Sequence, residues 1–153
     1  MRRAARVPAA LLVVSALAGC GGSSGGGPST LTAAEYRRQA TRICEDANRR
    51  ADALARPRDL AALRGYLDRT LEIVEQDSAR LRRLRPPADL RAGHEAAMRA
   101  QDAAIRRLRS LRAQLDQGKP SVAELQAGLD EVQRLGDQAD KRFRDLGLER
   151  CAD

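Results

Sequence analysis

The sequence predicts an all-α protein: an antiparallel up-down-up-down four-helix bundle over residues 32–153, behind a leader segment and a flexible Gly/Ser tether. Three observations point there. The 153 residues include one Phe, two Tyr and no Trp, and strands draw on aromatic and β-branched residues. Ala, Leu and Arg dominate instead, and these are strong helix formers. Four stretches then carry apolar residues at spacings of three and four, the stripe by which a helix faces a core.

The first helix is expected over about Ala33 to Ala55. Thr32 with Glu35 three residues on is a capping-box signature. Its apolar seam reads Tyr36, Ala40, Ile43, Ala47, Ala51 and Leu54, and Pro57 ends the element. The second starts after Asp59, an N-cap residue, and places Leu60, Leu63, Leu67, Thr70, Val74, Leu81 and Leu84 on one face, widened by Tyr66 and Leu71. Pro86-Pro87 stops it, because the residue before a proline is pushed out of the helical region.

The third helix runs from near Asp89 to Gln117, with a seam of Leu90, His94, Ala97, Gln101, Ala104, Leu108, Leu111 and Leu115, flanked by Met98 and Ile105. Gly118 caps it and Lys119-Pro120 makes the turn. A second capping box, Ser121 with Glu124, opens the last helix. That helix presents Val122, Leu125, Leu129, Val132, Ala139, Phe143 and Leu146, with Leu135 beside them, and Gly147 closes it. Short connections favour antiparallel neighbours in one bundle. The alternative is a helical hairpin that dimerises through its seams.

Ahead of the bundle the chain changes character. Met1 to Pro8 carries Arg2, Arg3 and Arg6 and no acid, and Ala9 to Ala18 is uncharged and largely apolar. A basic start, about ten apolar residues and a small-residue end read as an export signal, residues 1–19. The run is too short to span a bilayer, which takes about 20 residues. Leu17-Ala18-Gly19-Cys20 resembles the lipobox of bacterial lipoproteins. The resemblance implies a diacylglyceryl group on the Cys20 thiol, cleavage just before Cys20, and a membrane held through that lipid, facing the outside of the cell. Residues 20–31 are rich in Gly and Ser and read as a tether. Over the eleven residues Gly21 to Leu31 such a coil reaches about 18 Å.

Two cysteines remain, Cys44 and Cys151. An even number in an exported chain reads as a disulfide, and two free thiols are the alternative. The bond requires the tail after Gly147 to fold back, or the first helix to project below the end of the fourth. The run Tyr36 to Asn48 (with Ile43-Cys44 and Ala47-Asn48), the Leu84 to Leu90 turn and the ending Gly147-Leu148-Glu149-Arg150-Cys151 resemble small secreted or lipid-anchored helical proteins of actinobacteria. That resemblance implies a helical fold and a disulfide, and no activity.

Little in the chain reads as catalytic machinery. His94 is the single histidine, so the paired Glu-x-x-His motifs of di-iron bundles and an HExxH zinc motif are missing, and Ser78, Ser110 and Ser121 have no partnering histidine at recognisable spacing. Adjacent carboxylates such as Glu45-Asp46 and Asp130-Glu131 splay by about 100° on a helix. The expectation is a non-enzymatic protein with no cofactor. His94 and Met98, four apart, offer an alternative core site for a ligand or metal. Export and the lack of aromatic stacking residues set nucleic acid aside.

Charge is unevenly spread. From Arg80 to Arg112 ten arginines stand against three acids, a net of +7. Arg80, Arg82, Arg83, Arg85 and Arg91 surround the Pro86-Pro87 turn, at the end of the bundle where the tether enters. They are expected to face anionic lipid headgroups or an anionic envelope polymer, with an unidentified protein as a further partner. A solvated arginine face with ordinary i, i+4 pairs is the plainer alternative.

Overall fold

The computed structural model describes residues 30–118 and 120–152. The expected leader, the lipobox-like segment with Cys20, and most of the expected tether lie outside the described residues, as does Lys119. Four helices follow in order: α1 (Ala33–Asp52), α2 (Leu60–Arg82), α3 (Ala88–Gln117) and α4 (Val122–Asp145), ending in a 3-10 turn at Glu149–Cys151. Among the described residues there is no strand, and no helix is long and apolar enough to cross a membrane.

Both expected capping boxes form. The Thr32 hydroxyl accepts from the Glu35 N–H and the Glu35 carboxylate accepts from the Thr32 N–H, and Ser121 with Glu124 repeats the arrangement. Asp59 caps α2, accepting from the Ala62 N–H at 2.7 Å.

The helices alternate in direction. Asp46 and Arg50 of α1 pair with Arg80 and Asp77 of α2. Glu75 and Asp68 of α2 pair with Arg109 and Arg112 of α3. In both series rising numbers on one helix meet falling numbers on the next. α3 and α4 pack most closely. Glycine makes this possible at both ends of their contact: a Cβ on Gly93 would stand 2.8 Å from Leu146 Cδ2, and one on Gly128 2.6 Å from Leu111 Cδ1.

The helices differ in length. α1 has 20 residues and α3 has 30, about 30 Å against 45 Å at 1.5 Å per residue. The core divides accordingly. At the tether end all four helices enclose Tyr36, Ala40, Ile43, Leu81, Ala97, Met98, Ala139 and Phe143. At the far end α2, α3 and α4 alone gather round Leu67, Leu108 and Leu115.

Several seam positions differ from expectation. α1 ends at Asp52, short of Ala55, and Ala51 is exposed. In α4 the seam passes through Gly128, which is buried, so Leu129 next to it is 38% exposed and Val122 is 84% exposed. In α2 the buried set includes Ile73, Asp77 and Ser78. Asp77 holds the position that the alternation of three and four requires between Val74 and Leu81.

Candidate functional site

The tether end is built by three chain segments meeting. Leu31, the last residue before the cap, donates its N–H to the Arg85 carbonyl at 2.9 Å. The chain therefore enters the bundle against the α2–α3 turn. The C-terminal tail arrives at the same end. Gly147 takes a left-handed backbone, φ 72°, a conformation in which glycine alone meets no Cβ penalty. Its N–H donates to the Arg144 carbonyl, and the Leu148 N–H reaches back to the Phe143 carbonyl. This is the Schellman closure, with Leu148 and Phe143 as its apolar contact in the core.

The turn redirects the chain onto α1. The Asn48 amide donates to the Arg150 carbonyl and Arg37 Nε to the Leu146 carbonyl, each at 2.9 Å. Cys151 is thereby brought to Cys44, and the two form a disulfide with Cα atoms 4.9 Å apart across 107 residues. Of the two geometries the bond allows, the tail folding back is the one adopted.

The arginine-rich segment separates into two populations. Arg80 pairs with Asp46 at 2.7 Å and with Asp77 at 3.3 Å. The Arg80 hydrogen bond holds the Asp46 carboxyl below its ordinary range. Arg82 pairs with Asp102. Further along, Arg109 and Arg112 are matched by Glu75 and Asp68. Most of these acids lie outside the Arg80–Arg112 segment, so its formal excess of charge overstates what it presents to solvent. Arg80 and Arg82 accordingly belong to the cross-helix ion pairs.

Arg83, Arg85 and Arg91 are exposed and carry none of those pairs. Arg85 and Arg91 line an open cleft of about 670 Å³ at the tether end, together with Arg82, Arg99 and Glu95. Arg99 was not among the residues expected there. It sits about two helical turns along α3 from Arg91 and lines the cleft with it. Its one acid partner, Glu95, lies 3.9 Å away. With Arg82 matched by Asp102, three guanidinium groups against one carboxylate leave the cleft net cationic.

His94 forms part of the inner wall of this cleft and is 6% exposed. Its Nδ1 is hydrogen-bonded to the Tyr36 hydroxyl at 2.9 Å, and the two rings stand edge to face. Burial pushes the imidazole pKa down, favouring the neutral ring, and pushes the Tyr36 phenol up to about 12. Met98 is buried beside them in the same core. Of the two ring nitrogens, Nδ1 is thus engaged by Tyr36. Among the described residues no group of three or more His, Cys, Asp or Glu side chains is placed to hold a metal ion.

Asp77 is the polar group the sequence reading passed over. It is 2% exposed, and its Oδ1 accepts from Arg50 at 2.7 Å and from Arg80. Burial outweighs both arginines and raises its carboxyl pKa. The signal was its place on the apolar seam, where a charged residue needs a partner from another helix. No family model, curated protein or solved structure matches the chain.

Proposed function

We propose that the chain is an exported lipoprotein, held at the outer face of a cell membrane by a lipid on Cys20. In this reading it is a non-catalytic interaction module whose cationic end rests on an anionic surface. The observation that carries the reading is the hydrogen bond from Leu31 to Arg85. Cys20 lies eleven residues before Leu31, within about 18 Å of tether. A lipid there would keep the Arg85, Arg91 and Arg99 cleft close to headgroups throughout.

Anionic lipid is favoured over a polymer as the first surface, because the tether delivers this end to the membrane itself. Exposed basic residues near such a surface contribute about 1 kcal/mol each. A protein partner would then be recruited by the opposite end, which carries the exposed Val122 and Leu129.

Two measurements test the reading. Metabolic labelling with a fatty-acid probe should mark the wild-type chain and leave Cys20→Ala unlabelled. Flotation of the Cys20→Ser chain, made without residues 1–19, should recover more protein with anionic than with neutral vesicles. Equal recovery would end the surface-binding half of the reading and leave the anchor standing.

A further inference from the structure

α1 and α4 scarcely touch one another directly; the tail bridges them at the tether end. The space between them is a cleft of about 490 Å³, inside the range of small-molecule sites, about 300–1,000 Å³. The disulfide closes one end, since both Cys44 and Cys151 line it, and Ile105, Leu108 and Phe143 give it an apolar floor. It is a different site from the arginine cleft and shares no residue with it.

The unmatched polar side-chain atoms on its walls are acceptors. Among the described residues, Asp77 and Asp140 are the charged ones that line it, with no Lys, Arg or His. Arg50 and Arg80 both bind Asp77 through Oδ1, and Oδ2 is buried with no hydrogen-bond partner. Gln101 Oε1, on the same walls, is buried and unpartnered as well. Buried polar atoms are nearly always paired, so two unmatched acceptors lining one cleft call for a donor. The Asp77 charge is already matched by Arg50 and Arg80, so what these walls lack is a donor: an anion would bring acceptors to acceptors, and a wholly apolar molecule would leave both unmatched.

We propose that this cleft binds a small organic ammonium, a primary amine on a short apolar chain. Its N–H groups donate to Asp77 Oδ2 and Gln101 Oε1, and its chain lies on Ile105, Leu108 and Phe143. Gly136 supplies the means of blocking it. It lines the cleft, and a Cβ built there meets nothing within 4 Å.

The test titrates the disulfide-bonded chain at pH 7 with hexylammonium, hexanol and hexanoate, followed by amide NMR shifts. Hexylammonium should give saturable shifts at Ile105, Val132 and Gly136, with an affinity at least about tenfold above the other two, as a charge-assisted hydrogen bond provides. Equal affinities for the three probes, or shifts confined to other parts of the bundle, would overturn the proposal without any variant. Gly136→Leu should abolish the shifts at Ile105 and Val132 with an unchanged or higher thermal midpoint, since it replaces a helical glycine. Undiminished binding to that folded variant would also overturn it. Asp77→Asn should erase the preference for hexylammonium over hexanol, and a preference that survives counts against the assigned role of Asp77.

Discussion

Tyr36 and His94, 58 residues apart in sequence, meet in the core with hydroxyl and Nδ1 2.9 Å apart. The bond joins α1 to α3 across the bundle, where both residues are buried. Tyr36→Phe keeps the ring and leaves the imidazole nitrogen without its partner. The expected loss is about 1–3 kcal/mol of stability, measured by urea denaturation. A variant as stable as the parent would mean that water replaces the hydroxyl.

The same histidine gives the fold a pH dependence. Burial lowers its folded pKa, opposed by Glu95 and aided by Arg82. The unfolded chain therefore takes up a proton more readily than the folded one. Stability from this group is complete above about pH 6.5 and is lost as pH falls through the folded pKa. Buried Asp77, with its raised pKa, acts in the opposite sense: its contribution is present in acid and is lost as pH rises through its folded value. The informative quantity is thus the difference between parent and His94→Gln. That difference should shrink as pH is lowered below about 6.5, and a constant offset would exclude the histidine as its source.

Removing the disulfide with Cys44→Ala and Cys151→Ala should lower stability by about 2–5 kcal/mol, near the upper part of that range for a loop this long. Far-UV circular dichroism should remain helical at low temperature, because each helix has its own caps and seam. Amide exchange should rise first over Leu148 to Ala152, where Asn48 and Arg37 hold the tail.

Charge reversal separates the two arginine populations. Arg85→Glu with Arg91→Glu alters exposed residues that make none of the cross-helix pairs, so thermal stability should hold while recovery on anionic vesicles falls. About 1 kcal/mol per charge near a surface corresponds to roughly fivefold for each residue removed. Arg82→Glu breaks the pair with Asp102 and should affect stability as well as binding. Loss of vesicle binding only in variants that also lose stability would argue that the cleft does not bind lipid directly.

Much of the bundle was legible because helix punctuation is local. Thr32 with Glu35, Ser121 with Glu124, Asp59 and Gly147 each mark an end through a contact spanning a few residues. What lies between helices was not legible in the same way. Asp46 and Asp102 sit in ordinary polar contexts, and nothing within four residues of Arg80 or Arg82 says that a neighbouring helix supplies their partners. Gly128 misled for a related reason. A search for large apolar residues steps onto Leu129, whereas the closest approach of α3 needs the position with no side chain. Asp77 was within reach, since the seam's own spacing lands on it.

The short first helix has a mechanical consequence. One end of the molecule is cross-linked, four helices thick and joined to the chain's entry point, whereas the other is three helices thick around Leu67, Leu108 and Leu115. Thermal opening should follow that gradient, with the tips of α2, α3 and α4 parting long before the base does. A pulling force applied through Cys20 would enter at the reinforced base, beside Leu31 and Arg85, and would reach the fragile tips last. The described bundle is thus built like a peg, stiff where the chain enters and compliant at the far end.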